Sequence, residues 1–521
     1  MKHAGPSPRR SLFDRFLNTV ESVGNRLPHP ITLFALLALG VVLLSALCAG
    51  LGVSATGEMV DSRTGTVGLQ TVRAVSLLSR EGLAYMLTHV VSNFTGYAPL
   101  GTVLTAMLGV GVAERSGLIA ALLKKAAQIT PRRLLTPTVI FLGVMSNIAS
   151  DAGYVVLIPV GAMMFEACGR HPMAGLAAAF AGVSGGFSAN LIIGTLEPLL
   201  CGITNEAIRM VDPTYTMLPT GNLYFMMASV GLIVLIGSLV TDRLVEPRLH
   251  TFHPSAGADG EQDPRSLTAE ERSALRAAGI ALLILVAVLI LLAVPQQSFL
   301  RNPQSGSLIA GSPLMQGLIP IIALFFLLPA IVYGLRAGTF SGEREVCAAL
   351  GGSMSAMGGY IALAFVASQF LSYFQYTQLG AILALRGAEL LGSLGIGGIA
   401  LMLLLILFSA FLNLFMGSAS AKWTILAPVF VPMFMLLGYT PELTQIAYRI
   451  GDSCTNLVTP LMSYFSMIIV FARRYDPKAG IGTLISMMLP YSLLFLLGWS
   501  AMLVLWMLAG LPVGPGAGLF L

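Results

Sequence analysis

Charge is what this 521-residue chain has least of: Lys, Arg, Asp and Glu make up only 10% of it, where a soluble domain carries about a quarter. That scarcity, with 56% hydrophobic residues, excludes an ordinary soluble enzyme or regulatory domain. The net charge of +5 is scattered over short loops and gathered on no single face, which excludes a nucleic-acid-binding surface. The five cysteines, Cys48, Cys168, Cys201, Cys347 and Cys454, lie far apart, so neither a disulfide framework nor a zinc spacing is present. Histidine is equally sparse, and His250 and His253 sit in a polar loop where solvent is their natural partner. No His-Glu-x-x-His motif occurs, and His89 and His171 fall far apart in the topology traced below. An enzyme is therefore not expected, nor any metal or cofactor beyond a possible sodium ion or proton. A cleavable signal peptide is also missing, because the first 30 residues are polar and basic and the apolar run 31–52 is long enough to span.

Apolar sequence fills the chain instead, in lengths suited to a bilayer, which takes about 20 residues per crossing. Spans are predicted at 31–52, 83–113, 172–200, 222–241, 277–295, 317–338, 349–375, 441–473 and 484–510. The stretches 134–168 and 396–438 are too long for one crossing. Each has a polar kink, at Ser146–Asp151 in the first and at Asn413 with Gly417 and Ser418 in the second. A helix that enters, turns at a polar tip and leaves on the same side explains both, and such backbone survives at membrane depth only where protein or water satisfies it. The predicted fold is thus an all-α polytopic membrane protein with nine transmembrane helices and two re-entrant helical hairpins.

Lys2, Arg9, Arg10, Arg15 and Arg26 precede the first span and place the N-terminus in the cytoplasm. The chain then divides into a cytoplasmic segment 1–30, a first membrane half 31–241, a polar cytoplasmic loop 242–276, a second half 277–510 and an outer tail 511–521. Five spans separate the two hairpins, an odd number, so the hairpins enter from opposite sides.

The chain also contains a copy of itself. Residues 151–184, shifted forward by 269 positions, fall on 420–453 with eleven identities. Among them are Pro159 on Pro428, Gly169 on Gly438, Pro172 on Pro441 and Gly182 on Gly451, and Tyr154 meets another aromatic, Trp423. Matched Pro and Gly fix backbone shape, so their shared register means more than shared apolar composition. Paired interrupted helices in two inverted halves point to a transporter whose site lies at the midplane. A channel shares the composition, but opposed hairpin tips suit alternating access better than an open pore.

Charges inside apolar sequence need a reason. Asp151 ends the first tip, Glu197 sits in Gly194-Thr195-Leu196-Glu197-Pro198, and Lys422 follows the second tip. Arg449 and Asp452 lie three residues apart on one helical face and are expected to pair when the site is empty. The planar fork of Arg449 suits a substrate carboxylate, and Trp423 offers a ring face to an aromatic group. Asn147, Ser150, Asp151, Ser188 and Asn190 could give oxygen ligands to a small cation, as could Asn413, Ser420, Asp452, Thr455 and Asn456 in the second half. Hard oxygens favour sodium, whereas Asp151, Glu197 and Asp452 would serve protons equally well. Glu166 and Arg170 read as a solvated turn.

The run Ser146-Asn147-Ile148-Ala149-Ser150-Asp151-Ala152-Gly153-Tyr154, the Ser184–Asn190 break, and Met416–Trp423 followed by Tyr448–Ser453 resemble the AbgT family over essentially the whole chain. The resemblance implies a homodimer in the bacterial inner membrane, with nine spans and two hairpins. It also implies secondary transport of p-aminobenzoyl-glutamate, export of sulfonamide antimetabolites, or both. The alternative is a sodium-coupled carrier of another small carboxylate. Family functional positions matched here are Asn413, Ser420, Trp423, Pro441, Arg449, Asp452 and Pro460; Ser418, in the second tip, joins the expected substrate-binding set. The family commonly has Asp before Pro-Leu-Leu where this chain has Glu197, one methylene longer.

Overall fold

The computed structural model describes residues 28–60, 67–128, 131–149, 153–249, 267–308, 312–395, 397–459, 462 and 464–521. Ser150, Asp151 and Pro460, with residues 1–27 of the first segment and 250–266 of the polar loop, lie outside the described residues.

The chain is mostly helical. Among the described residues, six helices are long and apolar enough to cross a bilayer: Pro30–Gly50, Leu223–Arg248, Ala269–Ala293, Leu318–Ala337, Ala419–Leu436 and Ile481–Leu508. A bent pair, Glu343–Ala356 and Gly358–Tyr376, turns by 43° and would make a seventh. Five of the six match predicted spans. The sixth, Ala419–Leu436, is the returning arm of the second predicted hairpin, and its surroundings differ: 67% of its most apolar stretch is buried inside the protein, against 6% for Ala269–Ala293. A helix sheathed by protein in this way does not face lipid around most of its surface.

Besides that bent pair, three predicted spans are broken, two of them, 172–200 and 441–473, where the sequence already shows interruptions. The stretch 83–113 is three helices, Arg80–Thr88, Val90–Thr95 and Ala98–Arg115. The stretch 172–200 is helix Pro172–Phe180, a π-helical turn Ala181–Gly185, irregular backbone, and then a separate helix Leu196–Ile208. The stretch 441–473 is helix Pro441–Thr455, a 3-10 turn Asn456–Val458 and helix Phe465–Arg473.

The all-α expectation is corrected in one place. Strands Ser54–Val60 and Val67–Arg73 form an antiparallel hairpin running from Ser54↔Arg73 to Val60↔Val67. The β-branched residues Thr56, Val60, Val67, Thr71 and Val72 favour extended backbone here, a signal that a tracing by loop charge overlooks. The hairpin rests on helix Leu379–Ser393, which the tracing also missed: Arg386 donates to the Ser54 carbonyl at 3.2 Å.

The internal repeat is visible in the backbone. Helices Ile158–Ala167 and Ala419–Leu436 both end before a left-handed glycine, Gly169 at φ 74° and Gly438 at φ 85°. The next helices both begin with proline at the first turn, Pro172 and Pro441, where the missing N–H costs nothing. Gly182 and Gly451 then let these helices approach the hairpin arms. A Cβ at Gly182 would lie 2.4 Å from the Ile140 carbonyl oxygen, and one at Gly451 would lie 2.2 Å from that of Ile406. Overpacking against backbone costs about 1–3 kcal/mol. Gly451→Ala is therefore expected to melt lower in detergent than Gly40→Ala, whose Cβ would meet nothing within 4 Å. Equal melting temperatures would disprove the close approach.

Arg170 is not a solvated turn residue. It donates to Glu246 and to Thr136, reaches Asp242 at 2.7 Å, and lies 4.2 Å from the centre of the Phe165 ring. Burial alone would lower its pKa, but the bonds and charges of Glu246 and Asp242 outweigh this and raise it. The base of the first hairpin is thereby tied to the end of helix Leu223–Arg248.

Candidate functional site

The two predicted tips carry asparagines that play the same part, though they stand 266 positions apart and not 269. Asn147 follows helix Leu135–Ser146, and Asn413 ends helix Gly398–Asn413. Asn147 donates to the Val183 carbonyl at 3.0 Å, and Asn413 donates to the Asp452 carbonyl at 2.7 Å. Val183 and Asp452 are separated by the same 269 positions that relate the two copies. Each tip therefore holds the helix of its own half by the same backbone group.

Around Asn413 the cluster is dense. Its amide also donates to Thr455 Oγ1 at 2.9 Å and Asn456 Oδ1 at 2.7 Å, while Thr459 donates to the Asn413 carbonyl at 3.1 Å. In the first half, Asn147 Oδ1, Ser188 Oγ and Asn190 Oδ1 are buried with no hydrogen-bond partner among the described residues. Ser188 and Asn190 lie just beyond the π-helical turn, where irregular backbone replaces helix. Buried polar atoms of this kind are uncommon and call for a ligand, an ion or water.

The expected pairing of Arg449 with Asp452 is corrected. Arg449 donates through Nη2 to Glu197 at 2.8 Å, and Glu197 also accepts from the Gly194 N–H at 2.6 Å. Asp452 instead meets Lys422 at 2.5 Å, and Lys422 also donates to Asn413 Oδ1. The physical reason is burial around the whole helix: every residue of Pro441–Thr455 is buried, so partners surround it on all sides. Shared spacing puts Arg449 and Asp452 on one face, but the long Arg reaches the first half while the short carboxylate meets the second hairpin. Nε and Nη1 of Arg449 have no partner among the described residues.

Trp423 departs from expectation as well. It is fully buried, stacked on Tyr448 at 4.4 Å and 23°, so no ring face is open to a substrate in this conformation. Its indole donates to Thr204 at 2.9 Å, and the chain continues through Gln445 and Asn222 to the Glu442 carbonyl. Tyr154, its counterpart in the repeat, stacks likewise on Tyr464 at 4.7 Å and 10°. Thr204, Gln445 and Asn222 were missed in sequence because single polar residues in apolar spans carry no motif. Lys422 was visible as a rare charge, yet it offered no clue to its partner.

Both tips open on one cavity of about 580 Å³. Asn147 contributes from the first tip, Ser418 and Ser420 from the second, and Phe187, Tyr360 and Tyr464 add aromatic walls. Ser418 also caps the returning helix by accepting from the Ala421 N–H at 3.3 Å. A mostly apolar cavity with a few converging polar groups, in this size range, suits a small organic molecule.

Comparison with known proteins agrees with this geometry. Residues 15–521 match the family model of the AbgT transporters. The chain is 39% identical over 509 residues to the p-aminobenzoyl-glutamate transport protein of Escherichia coli strain K12, covering 98% of each. Two relatives of solved structure superpose closely. The YdaH transporter of Alcanivorax borkumensis, described as having an unusual topology, matches 94% of this chain and 100% of its own at 46% identity and a TM-score of 0.87. MtrF of Neisseria gonorrhoeae, described within a class of antimetabolite efflux pumps, matches 96% of this chain and 100% of its own at 49% identity and a TM-score of 0.89.

Proposed function

The chain belongs to the AbgT family, whose members compared here are transporters and not enzymes, and from that premise we propose an ion-coupled secondary transporter of p-aminobenzoyl-glutamate, sulfonamide antimetabolites, or both. Its apolar helices make it a multi-pass membrane protein. In the proposed arrangement nine spans and two opposed hairpins lie in the bacterial inner membrane, in a homodimer.

The observation that carries this reading is the single cavity shared by Asn147 of one tip and Ser418 and Ser420 of the other. A site built from two pseudo-equivalent halves can be uncovered from either side by rocking one half against the other. The aromatic walls suit the aminobenzoyl ring, while Glu114 also lines the cavity and Arg449 does not; the unpartnered edge of Arg449 would meet a glutamyl carboxylate only after the halves move. For the coupling ion, Asn147 Oδ1, Ser188 Oγ and Asn190 Oδ1 supply neutral oxygens that a sodium ion would satisfy. Ser150 and Asp151 are the further candidates at that tip.

Purified protein in liposomes tests the reading. Imposing a sodium gradient and a pH gradient separately should show that one of them drives substrate against its own gradient. Substrate flux that ignores both, or conductance steps in planar bilayers, would overturn it. The topology has its own test: a cysteine at Gly516 should react only with external reagent and one at Gly260 only with cytoplasmic reagent; reversed labelling would overturn the orientation, and labelling of both from one side would overturn the span count that opposes the hairpins.

A further inference from the structure

The two tips are the same device, yet a charge pair has been added to only one of them. At the second tip the Lys422 ammonium, 1% exposed, sits between Asp452 Oδ1 and Asn413 Oδ1. At the first tip the corresponding amide oxygen, Asn147 Oδ1, has no partner among the described residues. The positions equivalent to Lys422 and Asp452 are Gly153 and Val183, so the first half carries neither charge there. A side chain at Gly153 is also sterically excluded: a Cβ would lie 2.0 Å from Ser146 Oγ and 3.1 Å from Val183 Cγ1.

We propose that Lys422 is a tethered cation: its ammonium fills the cradle of the second tip, which is thereby closed to external cations, and leaves the exchangeable cation to the first tip. An ammonium and a sodium ion ask the same of their surroundings, oxygen atoms converging on a positive centre in place of water. Asp452 and Asn413 Oδ1 provide such oxygens, and Asn413 is oriented by Thr455 and Asn456 through its own amide donors. Those two residues therefore act as positioning residues for the cradle rather than as ligands. A buried Asp452 without a cation is costly, so the cradle must always be filled. A tether does this at any ion concentration, and it keeps the second hairpin fixed to the helix Pro441–Thr455. The inference rests on the reading of the tips as cation sites, but it is tested by binding rather than by transport.

Melting temperatures of purified protein, measured in sodium chloride and in choline chloride of equal strength, provide that test. Lys422→Gln opens the cradle while keeping Asp452, so it should melt higher in sodium than in choline by on the order of 3 °C beyond any sodium effect in the wild type. Lys422→Gln with Asp452→Asn removes the anion too and should lose that gain. A merely structural ion pair would lower stability equally in both salts. If folded Lys422→Gln shows no added sodium effect, the proposal is wrong. If Lys422→Gln is recovered folded from sodium but not from choline, the proposal stands, and failure to recover it from either salt shows that sodium cannot replace the ammonium and overturns it. Failure of ion-coupled transport in liposomes, with the sodium effect present, would sink the functional reading and leave this one intact.

Discussion

Glu197→Ala is expected to destabilise the folded protein by about 3–5 kcal/mol, because it strands a buried guanidinium whose one ion pair spans the two halves. Two of the three Arg449 nitrogens already have no partner among the described residues, so little is left to hold the charge. The melting temperature should fall sharply, and transport should fall with it. Glu197→Asp should keep the pair with a modest loss, since only one methylene is removed. Combining Glu197→Ala with Arg449→Met should recover part of the stability, because replacing both charges with apolar bulk avoids the uncompensated one. A Glu197→Ala protein that melts like the parent would show that the pair contributes nothing. Substrate dependence separates binding from structure. Per folded protein, Arg449→Ala should damage p-aminobenzoyl-glutamate transport at least tenfold, about 1.4 kcal/mol, more than sulfonamide transport, because only the former carries glutamyl carboxylates. Equal loss of both would reduce Arg449 to a structural partner of Glu197.

Trp423→Ala should cost about 3–5 kcal/mol, the usual range for emptying a buried aromatic site. It also removes the stack on Tyr448 and the donor to Thr204. Because the ring is enclosed, the loss should appear as less folded carrier for every substrate, with KM nearly unchanged. Trp423→Phe keeps a six-membered aromatic ring but loses the pyrrole half and its donor, while the Thr204 hydroxyl still has Gln445 and the Leu200 carbonyl to donate to, so it should cost less than Trp423→Ala. Thermal melts paired with transport kinetics distinguish the cases. A Trp423→Ala protein with normal melting and a raised KM would mean that the ring touches substrate directly.

Particular residues show why some of this was legible in the sequence and some was not. Gly169 with Gly438 and Pro172 with Pro441 are backbone constraints, and backbone constraints are written one residue at a time. The repeat could therefore be found by alignment of the chain with itself, and the polar tips by their interruption of apolar runs. The strands Ser54–Val60 and Val67–Arg73 and the helix Leu379–Ser393 escaped because the tracing weighed apolar length and loop charge, and these elements stand out in neither. The break at 96–97 escaped because a run of apolar residues looks alike whether or not its helix is continuous, whereas the break at Ser184–Asn190 was legible from its glycines and polar side chains.

Sequence alone determined the class of molecule, the duplication, the polar interruptions and four of the buried charges, Glu197, Lys422, Arg449 and Asp452, but not Glu442, since each of those four breaks an apolar run. Only the tertiary structure decided which charge meets which. Arg449 and Asp452 are neighbours along their helix, yet Arg449 ends on Glu197, 252 residues away, and Asp452 on Lys422. A helix buried on every side offers partners in all directions, and Coulomb attraction in a low-dielectric interior favours the carboxylate or ammonium that packing brings within reach. Packing likewise turned Trp423 from an open ring face into an enclosed one. Such choices are made by contacts between distant segments, which spacing along the chain does not encode.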